Sequence, residues 1–377
     1  MQRYLDARVR ADLKKKMVIL TGPRQVGKTT LSRQLLTEFK DAQYLNYDVP
    51  EHRGVLESRT WNKKAGLLVF DEIHKMSQWK PWLKGVFDGR AAGQSLLVTG
   101  SARMDTFRQA GESLAGRYYK LRLHPISVRE WCEQTGATPE DAVTHLLKRG
   151  GFPEPCLADT DEEADRWRTE YFSDLVREDV LEFSRLQEIT TMRLFAELLR
   201  SRVGSPLSLA SMGRDLAISP NTLKKYLDIL EALFIVFTVR PWHRNIARAT
   251  LQAPKVYFYD IGLVKGDAGV RFENFMACSL LKHIEWQQDA LGKEVGLHYI
   301  RTKDGAEVDF ALSQGDTLTD LVECKLTDAR PHGALARFAG EWPHARASQV
   351  LRDLSHAMDT GRLEIREAAG WLRELSA

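Results

Sequence analysis

Between residues 22 and 29 the chain reads Gly22-Pro23-Arg24-Gln25-Val26-Gly27-Lys28-Thr29, which satisfies G-x-x-x-x-G-K-[ST] at every fixed position. Glycines let successive N–H groups curl around an anion at a helix start. Lys28 adds a point charge for phosphate oxygens, and the Thr29 hydroxyl is a hard ligand for Mg²⁺. With Thr30, these residues form the candidate nucleotide-binding stretch. Leu67-Leu68-Val69-Phe70-Asp71-Glu72 is an apolar strand ending in two carboxylates. Asp71 is placed to hold Mg²⁺ through water and Glu72 to polarise an attacking water. Two acids imply hydrolysis and favour ATP over a GTP switch. His74 is a candidate γ-phosphate sensor, and Thr99 and Ser101 end the next apolar strand with hydroxyls suited to the same task. Arg117, in Leu114-Ala115-Gly116-Arg117, and Arg103 are candidates for a charge that stabilises the transferring phosphoryl, in cis or from a neighbouring subunit.

A second set of acids lies near the other end. Asp309 is followed by Glu323-Cys324-Lys325, a D…E-x-K pattern on two strands. Residues i and i+2 of a strand share a face, so Glu323 and Lys325 project together. Glu273, on the preceding helix, would complete the cluster. The arrangement resembles the PD-(D/E)xK nucleases. That resemblance implies Mg²⁺ at Asp309 and Glu323, with Glu273 supporting and Lys325 positioning or activating water against a phosphodiester.

These residues need positioning elements. From Met17 to about Pro125 the apolar runs MVIL, QYLNY, GLLVF, SLLVT and YYKLRL alternate with amphipathic stretches, the rhythm of a parallel sheet covered on both faces. Beyond Trp131 the periodicity turns helical, over Thr160 to Arg185 and Ile189 to Arg202. Leu207 to Pro241 reads as helix, turn, helix and strand, with Ser219 as N-cap and Pro220 at N1, an order similar to a winged helix-turn-helix. Lys224 and Lys225 on the second helix, Asn221 and Thr222 at its start, and Arg240, Arg244 and Arg248 on the wing form a surface suited to DNA. From Lys255 onward the pattern is a strand, a helix over Phe272 to Ile284, strands at His298 to Arg301, Glu307 to Leu312 and Leu321 to Lys325, and a helix over Gly333 to Glu341. The expected fold is α/β: a P-loop ATPase domain over 1–130, a helical region with winged helix-turn-helix over 131–254, and a restriction-endonuclease-like α/β domain over 255–377.

The 377 residues carry 54 Lys and Arg against 51 Asp and Glu, a net charge of +3 that excludes a general polyanion sponge. Four cysteines, at 132, 156, 278 and 324, form neither a CxxC pair nor a short Cys/His set, so no disulfide framework or structural zinc is expected. The opening stretch lacks an apolar signal region, and the longest apolar run is half a membrane span, so a cytoplasmic protein without a membrane partner is expected.

Taken with Gly150-Gly151-Phe152-Pro153, Lys255-Val256-Tyr257-Phe258-Tyr259-Asp260 and Glu307-Val308-Asp309-Phe310, the motifs resemble a prokaryotic family of AAA-superfamily ATPases. In that family an AAA_14 type P-loop domain is fused to a C-terminal domain of unknown function, number 4143, resembling the PD-(D/E)xK nucleases. The resemblance covers nearly the whole chain and implies ATP and Mg²⁺ as cofactors. The expected function is ATP hydrolysis coupled to action on DNA, branched or recombining, by a metal-dependent nuclease-like domain, with self-association as a further expectation. The alternative is an ATP-dependent switch or scaffold whose nuclease-like domain is inactive.

Overall fold

The computed structural model describes residues 1–100, 114–175, 186–243, 252–327, 330–354, 358–359, 361 and 363–377. Ser101, Arg103, Arg244 and Arg248 lie outside the described residues. The chain divides into two compact units, Met1–His124 with Ala232–Phe234, and Pro125–Glu231 with Ile235–Ala377.

The first unit is built on five parallel strands, β1 (Met17–Thr21), β2 (Gln43–Asn46), β3 (Leu67–Asp71), β4 (Ser95–Thr99) and β5 (Tyr118–Arg122), in the order β2-β3-β4-β1-β5. Every residue of β1, β3 and β4 is buried, as their unbroken apolar runs require of strands covered on both faces. The helices are α1 (Asp6–Leu13), α2 (Lys28–Leu36), α3 (Pro50–Ser58) and α4 (Trp79–Asp88). Trp61, Phe70 and Trp82 meet edge to face, with ring centroids 5.4 to 5.7 Å apart, on one side of the sheet. Because all five strands run the same way, Thr21, Asp71 and Thr99 end on one edge of the sheet. The segments preceding the strands, Arg117 among them, lie on the other.

The second unit opens with helices α5 (Val128–Thr135), α6 (Pro139–Arg149), α7 (Pro153–Leu157), α8 (Asp161–Asp174) and α9 (Leu186–Arg200). Helices α10 (Leu209–Leu216) and α11 (Pro220–Ala232) follow, separated by the expected turn. A Cβ on Gly213 would stand 2.6 Å from the Ile218 carbonyl oxygen, so the turn closes on a residue without a side chain. Ser219 accepts the Thr222 N–H, as its N-cap reading anticipates.

The remaining strands are β6 (Val236–Pro241), β7 (Lys255–Phe258), β8 (Val295–Arg301), β9 (Glu307–Gln314), β10 (Thr317–Lys325), β11 (Arg346–Leu351), β12 (Met358–Asp359) and β13 (Glu364–Glu367). They form one mixed sheet in the order β12-β13-β11-β10-β9-β8-β6-β7. Helix α12 (Ala268–Leu291) packs against it, α13 (Gly333–Glu341) buries Leu335 and Phe338 over β9 to β11, and α14 (Ala368–Arg373) follows β13.

The sheet runs past the expected strands through β11, β12 and β13, and it also crosses an expected boundary. Strand β6 pairs antiparallel with β7 and parallel with β8, so the strands on either side of the expected 254/255 boundary belong to one sheet. The physical reason is the edge: without β6 and β7, β8 would present a row of unpaired backbone groups.

Candidate functional site

At the carboxyl edge of the first sheet, β1 runs into the glycine-rich loop and α2 begins at Lys28, with Gly27 as N-cap at φ 103°. Gly22 has φ 145°, and a Cβ there would lie 2.3 Å from the Leu123 carbonyl oxygen, so only glycine fits. Gln25 also takes a left-handed conformation, which turns the loop back on itself. Lys28 is buried, and its ammonium donates to the Gly22 and Pro23 carbonyl oxygens at 2.8 and 2.6 Å.

Asp71 is the hub. Its carboxylate accepts from the Thr29 hydroxyl at 3.2 Å, from the Thr99 hydroxyl at 2.5 Å, and from the Tyr44 hydroxyl. Burial first and Asp71 second raise the Tyr44 phenol above its usual range, which keeps it a neutral donor. Glu72 follows at φ 55°, uncommon for a residue with a side chain, and its N–H is tied to the Thr99 carbonyl at 3.0 Å. Desolvation, then the neighbouring Asp71, push the Glu72 carboxyl up to about 7. His74 lies with Nε2 3.5 Å from Glu72 Oε2.

The structure thus brings Lys28, Thr29, Asp71, Glu72 and Thr99 together. It does not bring Arg117 to them. Arg117 precedes β5 on the opposite edge, where its carbonyl accepts the Met17 N–H and its guanidinium clasps Asp88 at 2.8 and 3.0 Å. A five-residue strand spans about 16 Å, so the expected role in cis is corrected by the direction of the strand. A contribution from Arg117 requires a neighbouring copy. Tyr44 was missed by sequence reasoning, because nothing in QYLNY marks which residue faces Asp71.

In the second unit, Glu273, Asp309, Glu323 and Lys325 share one neighbourhood. Antiparallel pairing of β9 with β10 sets Asp309 beside Glu323: Asp309 accepts the Cys324 N–H at 2.9 Å, and the Asp309 N–H donates to Glu323 at 3.3 Å. Lys325 Nζ lies 2.7 Å from Glu323 Oε1, and His332 Nδ1 lies 3.3 Å from the same oxygen.

What the sequence reading omitted is Lys255. Its ammonium is 1% exposed and stands 2.7 Å from Glu307, 3.3 Å from Glu273 and 3.7 Å from Asp309. Tyr257, two residues along β7, donates to Glu273 at 2.7 Å. Burial alone would lower the Lys255 pKa; Glu273, Asp309 and Glu307 together outweigh it and raise it. Desolvation, then Asp309, push Glu273 up to about 7 and Glu323 up to about 8.

A lysine therefore sits among three of the acids, Glu273, Glu307 and Asp309. Among the described residues no group of three or more His, Cys, Asp or Glu is arranged to hold a metal. Metal ligation by Asp309 and Glu323 would have to accommodate this buried ammonium, which stands 3.7 Å from Asp309. The available signal was the alternation of Lys255 and Tyr257 on one face of a strand.

On α11, Leu223, Tyr226, Leu227 and Leu230 are buried and Asn221, Lys224 and Lys225 are exposed, with Lys224 paired to Asp228. No helix among the described residues is long and apolar enough to cross a membrane.

Comparison with known proteins finds relatives of this chain. An AAA domain model matches residues 14–132, and a domain of unknown function, DUF8612, matches residues 140–271, so the matched domain lies directly after the P-loop region and not over 255–377. Uncharacterized proteins of Mycobacterium tuberculosis and Mycobacterium bovis are each 30% identical over 319 residues, covering 82% of this chain and 70% of theirs. One from Methanocaldococcus jannaschii is 22% identical over 324 residues, covering 79% of this chain and 72% of its own. Among solved structures, a Walker-type ATPase of Pyrococcus abyssi aligns with a TM-score of 0.44 at 12% identity, over 68% of this chain and 93% of its own. The chain belongs to the family of these mycobacterial proteins and carries an AAA domain of the P-loop ATPase type followed by DUF8612.

Proposed function

We propose that the protein hydrolyses ATP at the P-loop and works on DNA through its second unit, as an ATP-dependent switch whose nuclease-like cluster serves as a scaffold. The observation that carries the hydrolytic half is the lock on Asp71 by Thr29 and Thr99, beside a Glu72 carboxyl raised to about 7. In this reading Gly22 to Thr30 wrap the triphosphate. Lys28 exchanges its loop carbonyls for phosphate oxygens, and Glu72 accepts the proton of the attacking water. The Thr29 and Asp71 oxygens converge within 3.2 Å, a hard pair that would hold Mg²⁺, and a cation held there would supply charge neutralisation for the phosphates.

DNA binding is supported by the exposed Asn221, Lys224 and Lys225 on the second helix of a helix-turn-helix that leads into a strand pair. The scaffold reading is supported by Lys255 among Glu273, Glu307 and Asp309. The metal-dependent nuclease reading is favoured by one observation, the Glu323 and Lys325 pair at 2.7 Å beside Asp309.

Steady-state hydrolysis and nucleotide binding of two variants test the hydrolytic half. Lys28→Ala should lose turnover and weaken ATP binding, whereas Glu72→Gln should keep ATP bound and lose about 10²–10⁴ in kcat. A Glu72→Gln enzyme turning over at the parent rate would remove the carboxylate from the mechanism.

A further inference from the structure

The amino-terminal edge of the first unit's parallel sheet is basic, and it faces away from the P-loop because every strand runs toward the other edge. A cavity of about 560 Å³ opens there, lined by Lys14, Lys15, Lys16, Phe39, Arg90 and Gln94 among others, and none of its described lining residues is acidic. Lys14 and Lys15 are exposed, and Lys16 lies 4.9 Å from the centre of the Tyr119 ring.

Hydrogen bonds extend the same edge to Lys40, Lys63 and Lys64, all exposed. The Gly66 N–H donates to the Lys40 carbonyl at 2.9 Å, and the Gln94 side chain donates to the Lys63 and Ala65 carbonyls at 3.4 and 2.9 Å. Of the nearby acids, Glu38 pairs with Arg10 at 2.6 Å and Asp88 with Arg117 at 2.8 Å, while Asp41, next to Lys40, is exposed. One cation would suffice for the carboxyl end of α1, and three consecutive lysines exceed that need.

We infer that this edge is a second nucleic-acid contact, binding the phosphodiester backbone without reading bases. The polar atoms at the floor of the cavity are turned to the protein, Ser95 to the Leu13 carbonyl at 3.0 Å and Gln94 to the carbonyls above. A small anion would need donors converging at the floor. Cations spread along a rim instead match phosphates repeated along a strand. Because the P-loop lies on the opposite edge, a bound backbone leaves the ATP site open.

Fluorescence anisotropy of a labelled duplex of about 30 base pairs, titrated with the full chain at several salt concentrations, tests this. Replacing Lys14, Lys15 and Lys16 together with alanine should lower the slope of log K against log salt by about 3, at about 0.9 per phosphate contact. ATP turnover measured without DNA should stay within about twofold. Unchanged affinity and slope in the triple variant would overturn the inference, as would competition by inorganic triphosphate at concentrations comparable to duplex phosphate. If only Lys224→Ala with Lys225→Ala weakens binding, the edge is excluded while DNA contact by the second unit stands. If the parent protein binds no duplex at low salt, both fall.

Discussion

At Glu72, backbone and charge act together. The residue holds an uncommon φ of 55° because its N–H is fixed to Thr99, and this keeps its carboxyl partly buried beside Asp71. A carboxyl raised to about 7 is protonated below that pH and accepts no proton, so kcat/KM for ATP should rise with pH through a midpoint about 7. Glu72→Gln should leave a flat residual profile. The stability sign runs the other way. Between the ordinary carboxylate range and about 7 the native protein binds a proton that the unfolded chain does not, so this group makes stability fall as pH rises. A kcat/KM profile of the parent without that midpoint would show that Glu72 does not titrate in the rate. This site was legible because the P-loop is one contiguous segment and its partner acids end a single apolar strand. Lys255 was not, because its role arises only when β7 and β9, far apart in sequence, are folded together.

Elements were read well where one local signal dominates. Gly333 to Glu341 is a helix as its spacing predicts, and Ser95–Thr99 is a strand over the expected residues. Helix α12 runs from Ala268 to Leu291, beyond the expected Phe272 to Ile284, because Asp267 caps it by accepting the Val270 N–H and Gly292 ends it in a left-handed turn. The periodicity marked only its apolar middle. Within that middle, Lys282 is 3% exposed and pairs with Glu130, which closes a capping box with Ser127 at the start of α5. The same ammonium donates to the Pro125 carbonyl at 3.0 Å. Removing the lysine takes a buried cation away from a buried carboxylate, a loss of about 3–5 kcal/mol. Urea unfolding of Lys282→Met should show a midpoint lowered to match, and a change under 1 kcal/mol would mean that Glu130 escapes to water or takes up a proton at no cost.

At the scale of the whole molecule, the proposed function leaves two forms to separate: ATP hydrolysis in the first unit coupled to DNA cleavage by the second, or coupled to DNA binding alone. The cluster gives a physical answer to test. With Lys255 in place, Glu273, Glu307 and Asp309 already share a buried positive charge, and a divalent ion entering among them would bring the ammonium into repulsion with it. The parent protein should therefore leave linear, flapped and four-way DNA intact in Mg²⁺ or Mn²⁺, while DNA raises its ATP turnover in a salt-sensitive way. Lys255→Met strips the acids of their shared cation, so its thermal midpoint should fall by several degrees and then recover as Mn²⁺ or Ca²⁺ is added, a response the parent should lack. Calcium is informative because it binds oxygen ligands without assisting cleavage, so recovery by calcium reports occupancy alone. Nicking by the parent that disappears in Asp309→Ala or Lys325→Ala, with ATP hydrolysis retained, would place a working metal at Asp309 and Glu323 despite the lysine. In that event Lys255 would be a displaceable group that the metal must move before the strand is cut, and the scaffold reading would be abandoned.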